Sequence, residues 1–169
     1  MNQRPSEEEY AGDFDEYIRL VPEGNIIDIL LAQEKQMTKL LASLTESQGE
    51  YRYAEGKWTL KEVVGHIADG ERVMTYRLLR FARGDQTPLP GFDQEMFIPP
   101  FESWTLAQLS EDYRAVRQST ITLLRGLPAE AWSRKGTANN VSITVRALAY
   151  VTAGHELHHM GVIRNRYLS

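Results

Sequence analysis

Histidine is scarce in this sequence, and three of its four copies fall within five residues, in the run Gly154-His155-Glu156-Leu157-His158-His159-Met160. Neutral imidazole is the commonest metal ligand among side chains. Residues at i and i+4 of a helix lie one above the other, so His155 and His159 can bring two ring nitrogens to one point, as helical zinc motifs do. His158 competes for the second place, since i, i+3 neighbours also meet. His159 is preferred because it continues the stripe Val145, Leu148, Thr152, His155, whereas His158 lies about 100° round the helix, at the stripe's edge. Two imidazoles on an otherwise apolar face are costly to bury unless each finds a partner, and one ion satisfies both. A structural pair with other partners is the competing reading. The remaining histidine, His66, lies in a second strongly helical segment, which makes His66, His155 and His159 the candidate metal ligands.

Three imidazole ligands leave an ion one or more open positions, the arrangement of catalytic rather than structural sites. Such an ion can acidify a water or a thiol, and the histidines do not choose between them. With no cysteine in the chain, any transition metal is held by nitrogen and oxygen, and an anionic fourth ligand must come from outside; imidazole suits zinc, nickel, copper and iron alike, and zinc or nickel is the expectation. Asp69, Glu71 and Glu156 are the carboxylates nearest the histidines in sequence. Each reads as a solvated or salt-bridging residue. Glu71, which shares a face with Val64, Ile67, Met74 and Leu78, is best placed to orient a coordinated imidazole through its second nitrogen. A non-catalytic alternative has the metal pin two helices together.

Four amphipathic segments must position these residues. Ile27, Leu30, Met37, Leu41 and Leu44 keep three-four spacing and predict a first helix over about 25–45. In Trp58-Thr59-Leu60-Lys61-Glu62-Val63, Thr59 and Glu62 form a capping box and Trp58 and Val63 a hydrophobic staple. The second helix therefore starts there and runs to about Arg83, with His66 in its second turn. Gly70, one turn on, costs roughly 1 kcal/mol against alanine in a helix interior, so space beside it is wanted for close packing or a ligand. Residues 84–103, with four prolines and three phenylalanines, predict a long crossover without regular elements that packs over the bundle, its stretch from Thr87 to Phe101 forming a wall for an apolar substrate. Thr105 and Gln108 cap a third helix reaching Gly126. An irregular link follows over 127–141, and Ser142 caps the histidine helix, which lasts to about Arg166. Residues 1–21 are expected to be an irregular N-terminal extension of one domain spanning 1–169. The fold class is all-α, a four-helix bundle with a long crossover.

Composition is that of an ordinary soluble protein, 42% hydrophobic and 25% charged. The net charge of −4 excludes a dominant nucleic-acid footprint. Arg77, Arg80 and Arg83 form a basic row, read as a solvated helix face because no aromatics interleave for stacking. No segment has the apolar length of a membrane span, and a cytoplasmic location is the expectation.

Gly56-Lys57-Trp58-Thr59-Leu60 through His66-Ile67-Ala68-Asp69-Gly70-Glu71-Arg72 and His155-Glu156-Leu157-His158-His159-Met160-Gly161 resemble the two signature segments of the DinB-like (YfiT-like) metal-dependent superfamily. Arg83-Gly84-Asp85-Gln86-Thr87-Pro88 onward resembles its crossover loop, and the likeness runs from about Tyr17 to Arg166. The resemblance implies an up-down-down-up bundle, a divalent metal on His66, His155 and His159, and a homodimer. It also implies either S-transfer with a low-molecular-weight thiol or hydrolysis. Val162 departs from the glutamine that many relatives carry, which bears on substrate contacts rather than on the metal.

Overall fold

Capping chemistry decides where the long helices begin. The computed structural model describes residues 3–12 and 14–168, so Met1, Asn2, Asp13 and Ser169 lie outside the described residues. The chain forms α1 (Phe14–Leu20), α2 (Ile26–Ser43), a short α3 (Glu46–Gly49), α4 (Leu60–Ala82), α5 (Leu106–Arg125), a hairpin of β1 (Lys135–Ala138) and β2 (Val141–Thr144), and α6 (Val145–Val162). Asn25 caps α2, and the boxes expected at Thr59 with Glu62 and at Thr105 with Gln108 cap α4 and α5. The histidine helix is capped by Thr144, which accepts from Ala147 N–H, and not by Ser142, because Ser142 is held in β2 opposite Thr137.

Helices α2, α4, α5 and α6 close a ring in which α4 packs on α5 and α6, and α2 packs on the same two. This is the expected four-helix bundle. Its core is two apolar clusters with a polar belt between them. Each helix contributes a buried polar residue between the halves: Gln33 between Leu30 and Met37, Glu71 between Ile67 and Met74, Arg117 between Tyr113 and Ile121, and Glu156 between Ala153 and Met160.

Three segments are more ordered than their sequence suggested. Residues expected to be irregular form α1, where Ile18 is fully buried and an Asp15–Arg19 ion pair spans one turn at 2.5 Å. In the 127–141 link, Asn139 and Asn140 both take positive φ, 51° and 62°, the backbone that two-residue hairpins need to match strand twist. In the crossover, Leu89 bridges Ala138 at the hairpin, and Gln94–Phe97 and Pro99–Ser103 are 3-10 turns. Of the basic row of α4, Arg83 is exposed as expected, while Arg77 and Arg80 are not simply solvated. Buried Arg77 donates to the Pro90 carbonyl at 2.8 Å and stacks on Phe92, and Arg80 pairs with Asp85. Both arginines tether the crossover. Among the described residues no helix is long and apolar enough to cross a membrane.

Candidate metal centre

The capping box that starts α4 also aims His66. Thr59 N–H donates to the Glu62 carboxylate at 2.6 Å and Glu62 N–H to the Thr59 hydroxyl at 3.1 Å, which fixes the helix phase that turns His66 inward. The α6 stripe turns His155 and His159 to meet it. The three rings stand in a triangle with centroids 4.6 to 4.9 Å apart, and the Nε2 atoms of His66 and His155 are 3.0 Å apart. One nitrogen from each ring lies within 4.8 Å of the others. Ligand nitrogens about 2.0–2.1 Å from a zinc-like ion stand roughly 3 Å from one another. One pair already has that spacing.

His66 and His155 are buried, and His159 is half-buried. Burial holds all three below the usual histidine range, His66 to about 4 and His159 to about 3. His155 is lowered by burial and then by the neighbouring histidines. At neutral pH the rings are therefore uncharged, with lone pairs free to coordinate. Packing fixes their orientation. Trp58 lies against His66 at 4.9 Å, Tyr17 presents its edge to His155 at 5.6 Å, and Gly70 supplies the space His155 occupies, since a Cβ there would stand 2.9 Å from its Cε1. His158 is exposed, edge-on to Tyr17 at 5.7 Å, and takes no part in the triangle.

The carboxylates go elsewhere. Glu71 points inward as expected but meets no histidine, because Arg117 claims it through Nε at 3.0 and 3.1 Å and Nη2 at 2.8 Å. Glu156, 1% exposed, accepts from Arg117 and from the Tyr113 hydroxyl. Asp69 pairs with Arg72, which also holds Asp112. Arg117 was missed in the sequence, although its place on the stripe Leu109, Tyr113, Val116, Thr120, Leu124 was a visible signal.

A pocket of about 230 Å³ opens at His159, lined by Tyr53, Trp58, Val63, Val162 and Tyr167, with Lys57 and Glu95 at its sides. Tyr167 is turned back onto it by a π-helical turn, Ile163–Tyr167, and donates to the Trp58 carbonyl at 2.6 Å, while Trp58 Nε1 donates to Glu95 at 3.1 Å. Of the stretch from Thr87 to Phe101 expected to wall this pocket, only Glu95 reaches it among the described residues. Phe101 is instead seated on Gly65 of α4.

A family model described as the DinB superfamily matches residues 29–163. A protein of Oceanobacillus iheyensis named "Putative metal-dependent hydrolase" is 29% identical over 125 residues, 72% of each chain. A Bacillus pumilus protein of the same name is 26% identical over 141 residues, 81% of this chain and 80% of its own. Among solved structures, YfiT from Bacillus subtilis, described as "a probable metal-dependent hydrolase with an unusual four-helix bundle topology", superposes with a TM-score of 0.67 at 19% identity, covering 96% of this chain and 90% of its own. A mycothiol-dependent maleylpyruvate isomerase superposes with a TM-score of 0.69 at 15% identity, covering 85% of this chain and 61% of its own. At these identities the two structures share the fold.

Proposed function

This chain belongs to the DinB superfamily, and on that premise we propose that it is a divalent-metal-dependent enzyme in which His66, His155 and His159 hold zinc or nickel and a low-molecular-weight thiol is the nucleophile for S-transfer. The observation that carries the reading is the convergence of three uncharged imidazoles, two buried and the third, His159, half-buried and lining a pocket with aromatic walls. A divalent ion there supplies Lewis acidity, lowering the pKa of a thiol or water that reaches it.

The chain's own residues do the rest. The imidazoles bring no negative charge, the sequence has no cysteine, and Asp69, Glu71 and Glu156 are engaged by arginines. Charge compensation therefore falls to an incoming anion. Tyr53, Trp58 and Tyr167 exclude water from one side of His159, and the bond from Tyr167 to the Trp58 carbonyl holds that wall against α4. The pocket is smaller than the roughly 300–1,000 Å³ of sites that engulf whole drug-sized ligands. It suits the reacting end of a substrate whose remainder stays in solvent. The fold shared with a thiol-dependent isomerase supports the thiol reading. The names of both sequence relatives favour a second one, hydrolysis by water activated at the same place.

Metal-stripped protein reloaded with zinc or nickel is incubated with low-molecular-weight thiols and a panel of electrophiles, and in parallel with esters and amides. Metal-dependent conjugation is expected. Alanine at His66, His155 or His159 removes metal and turnover, and His158→Ala keeps both. Hydrolysis without thiol would install the second reading, and turnover on neither panel would overturn the enzymatic one. Retention of metal by His159→Ala with its loss from His158→Ala would overturn the ligand set.

A further inference from the structure

We propose that Arg117 is a positioning residue for the histidine triangle: its guanidinium sets the spacing of α4 and α6, and hence the distance of His66 from His155 and His159. The inference rests on the metal-site reading above. Arg117 is fully buried in the polar belt, and every N–H of its guanidinium has an acceptor. Nε and Nη2 grip Glu71 of α4, Nη2 also reaches Glu156 of α6, and Nη1 donates to the Leu30 carbonyl at 3.0 Å and Gln33 Oε1 at 3.1 Å on α2. Gln33 in turn donates to the Ala153 carbonyl of α6 at 2.8 Å. One rigid planar fork on α5 thus binds the other three helices of the bundle.

Its two carboxylate partners are the ones that matter for the triangle. Glu71 follows His66 by five residues, about 7.5 Å along α4, and Glu156 is the residue after His155. Between His66 and Glu71, Gly70 touches the His155 ring. The clamp therefore grips α4 about one and a half turns from His66, and α6 at the residue next to His155. Stability alone is a poor account of such a cluster. Buried ion networks replaced whole by apolar residues often lose nothing, and their best-attested contribution is to fix one registry among several.

The test uses cobalt(II) as the probe, with its visible absorption spectrum and its affinity, by chelator competition, measured where far-UV circular dichroism shows folded protein. Wild type should give a cobalt spectrum that His155→Ala abolishes. Arg117→Lys keeps the charge but cannot span both carboxylates. It should weaken cobalt at least tenfold and alter the spectrum. Glu71→Gln, nearly isosteric, should move both readouts in the same direction and stands in if the lysine variant does not fold. Tyr113→Phe removes a buried bond to Glu156 while leaving the α4–α6 clamp, so it should lower the melting temperature with a wild-type spectrum. Folded Arg117→Lys or Glu71→Gln with wild-type affinity and spectrum would overturn the proposal, as would a Tyr113→Phe spectrum changed as much as theirs. Cobalt binding indifferent to His155→Ala would overturn the metal reading itself, and the positioning role with it.

Discussion

Gly70→Ala should separate the stability of this protein from its metal affinity. An alanine Cβ at this position would stand 2.9 Å from His155 Cε1, where ordinary contact begins at 3.4 Å, so the ring must retreat by about 0.5 Å. Two terms act on the metal-free fold. Alanine is favoured over glycine in a helix interior by about 1 kcal/mol, and overpacking a core costs roughly 1–3 kcal/mol. The clash falls on one side chain rather than on backbone, which puts its cost at the low end. The net change in metal-free stability should lie within about 1 kcal/mol of zero. Metal affinity has no such offset, because a ligand nitrogen is carried off a bond that tolerates only about 0.2 Å. A loss of at least tenfold, about 1.4 kcal/mol, is expected. Urea unfolding of the stripped protein and zinc competition with a chelator read the two quantities separately. Wild-type zinc affinity in the alanine variant would refute the argument, and so would a metal-free fold weakened by several kcal/mol.

Two further outcomes follow from packing and burial. Burial pushes the Tyr167 phenol from 10.0 up to about 12, so between those pH values the unfolded chain releases a proton that the folded chain keeps. The resulting stability is fully present below pH 10 and is lost as pH rises toward 12. With solvent at the pocket mouth the loss is on the order of 1 kcal/mol. Urea midpoints of wild type and Tyr167→Phe at pH 8 and 11 check this, since a difference between them that ignores pH contradicts it. Gly65→Ala would place a Cβ 2.4 Å from the Phe101 ring, costing about 1–3 kcal/mol and lifting the crossover from α4. Faster proteolytic cleavage within 84–103 is the expected signature, and wild-type resistance would refute it.

What the sequence made legible was whatever local chemistry decides. The capping boxes at Thr59 and Thr105 placed two helices correctly, and the apolar stripe favoured His159 over His158, which the structure leaves exposed while His159 meets His66 and His155. Elements that depend on distant contacts were not legible. Helix α1 has seven residues and one fully buried side chain, too short to show a period, and forms because α6 receives it. The hairpin had its turn residues in view, Asn139-Asn140, but its four-residue strands are too brief to alternate visibly. Glu71 was rightly turned inward, yet nothing local says which cation it meets. That partner sits 46 residues away on another helix.

The contact between α1 and α6 ties the amino-terminal helix to the metal-ligand helix. At Gly154, one residue before the first ligand of α6, an added Cβ would lie 2.1 Å from the Tyr17 carbonyl oxygen. Two backbones touch there with no side chain between them. The family model's match begins at residue 29, after this helix, yet steric fit makes the helix and Gly154 one packing unit. Any side chain at residue 154 would push the amino-terminal helix off α6, and loss of that helix would expose bare main chain alongside the histidines. The two ends of this chain are thereby coupled in packing, although more than a hundred residues separate them.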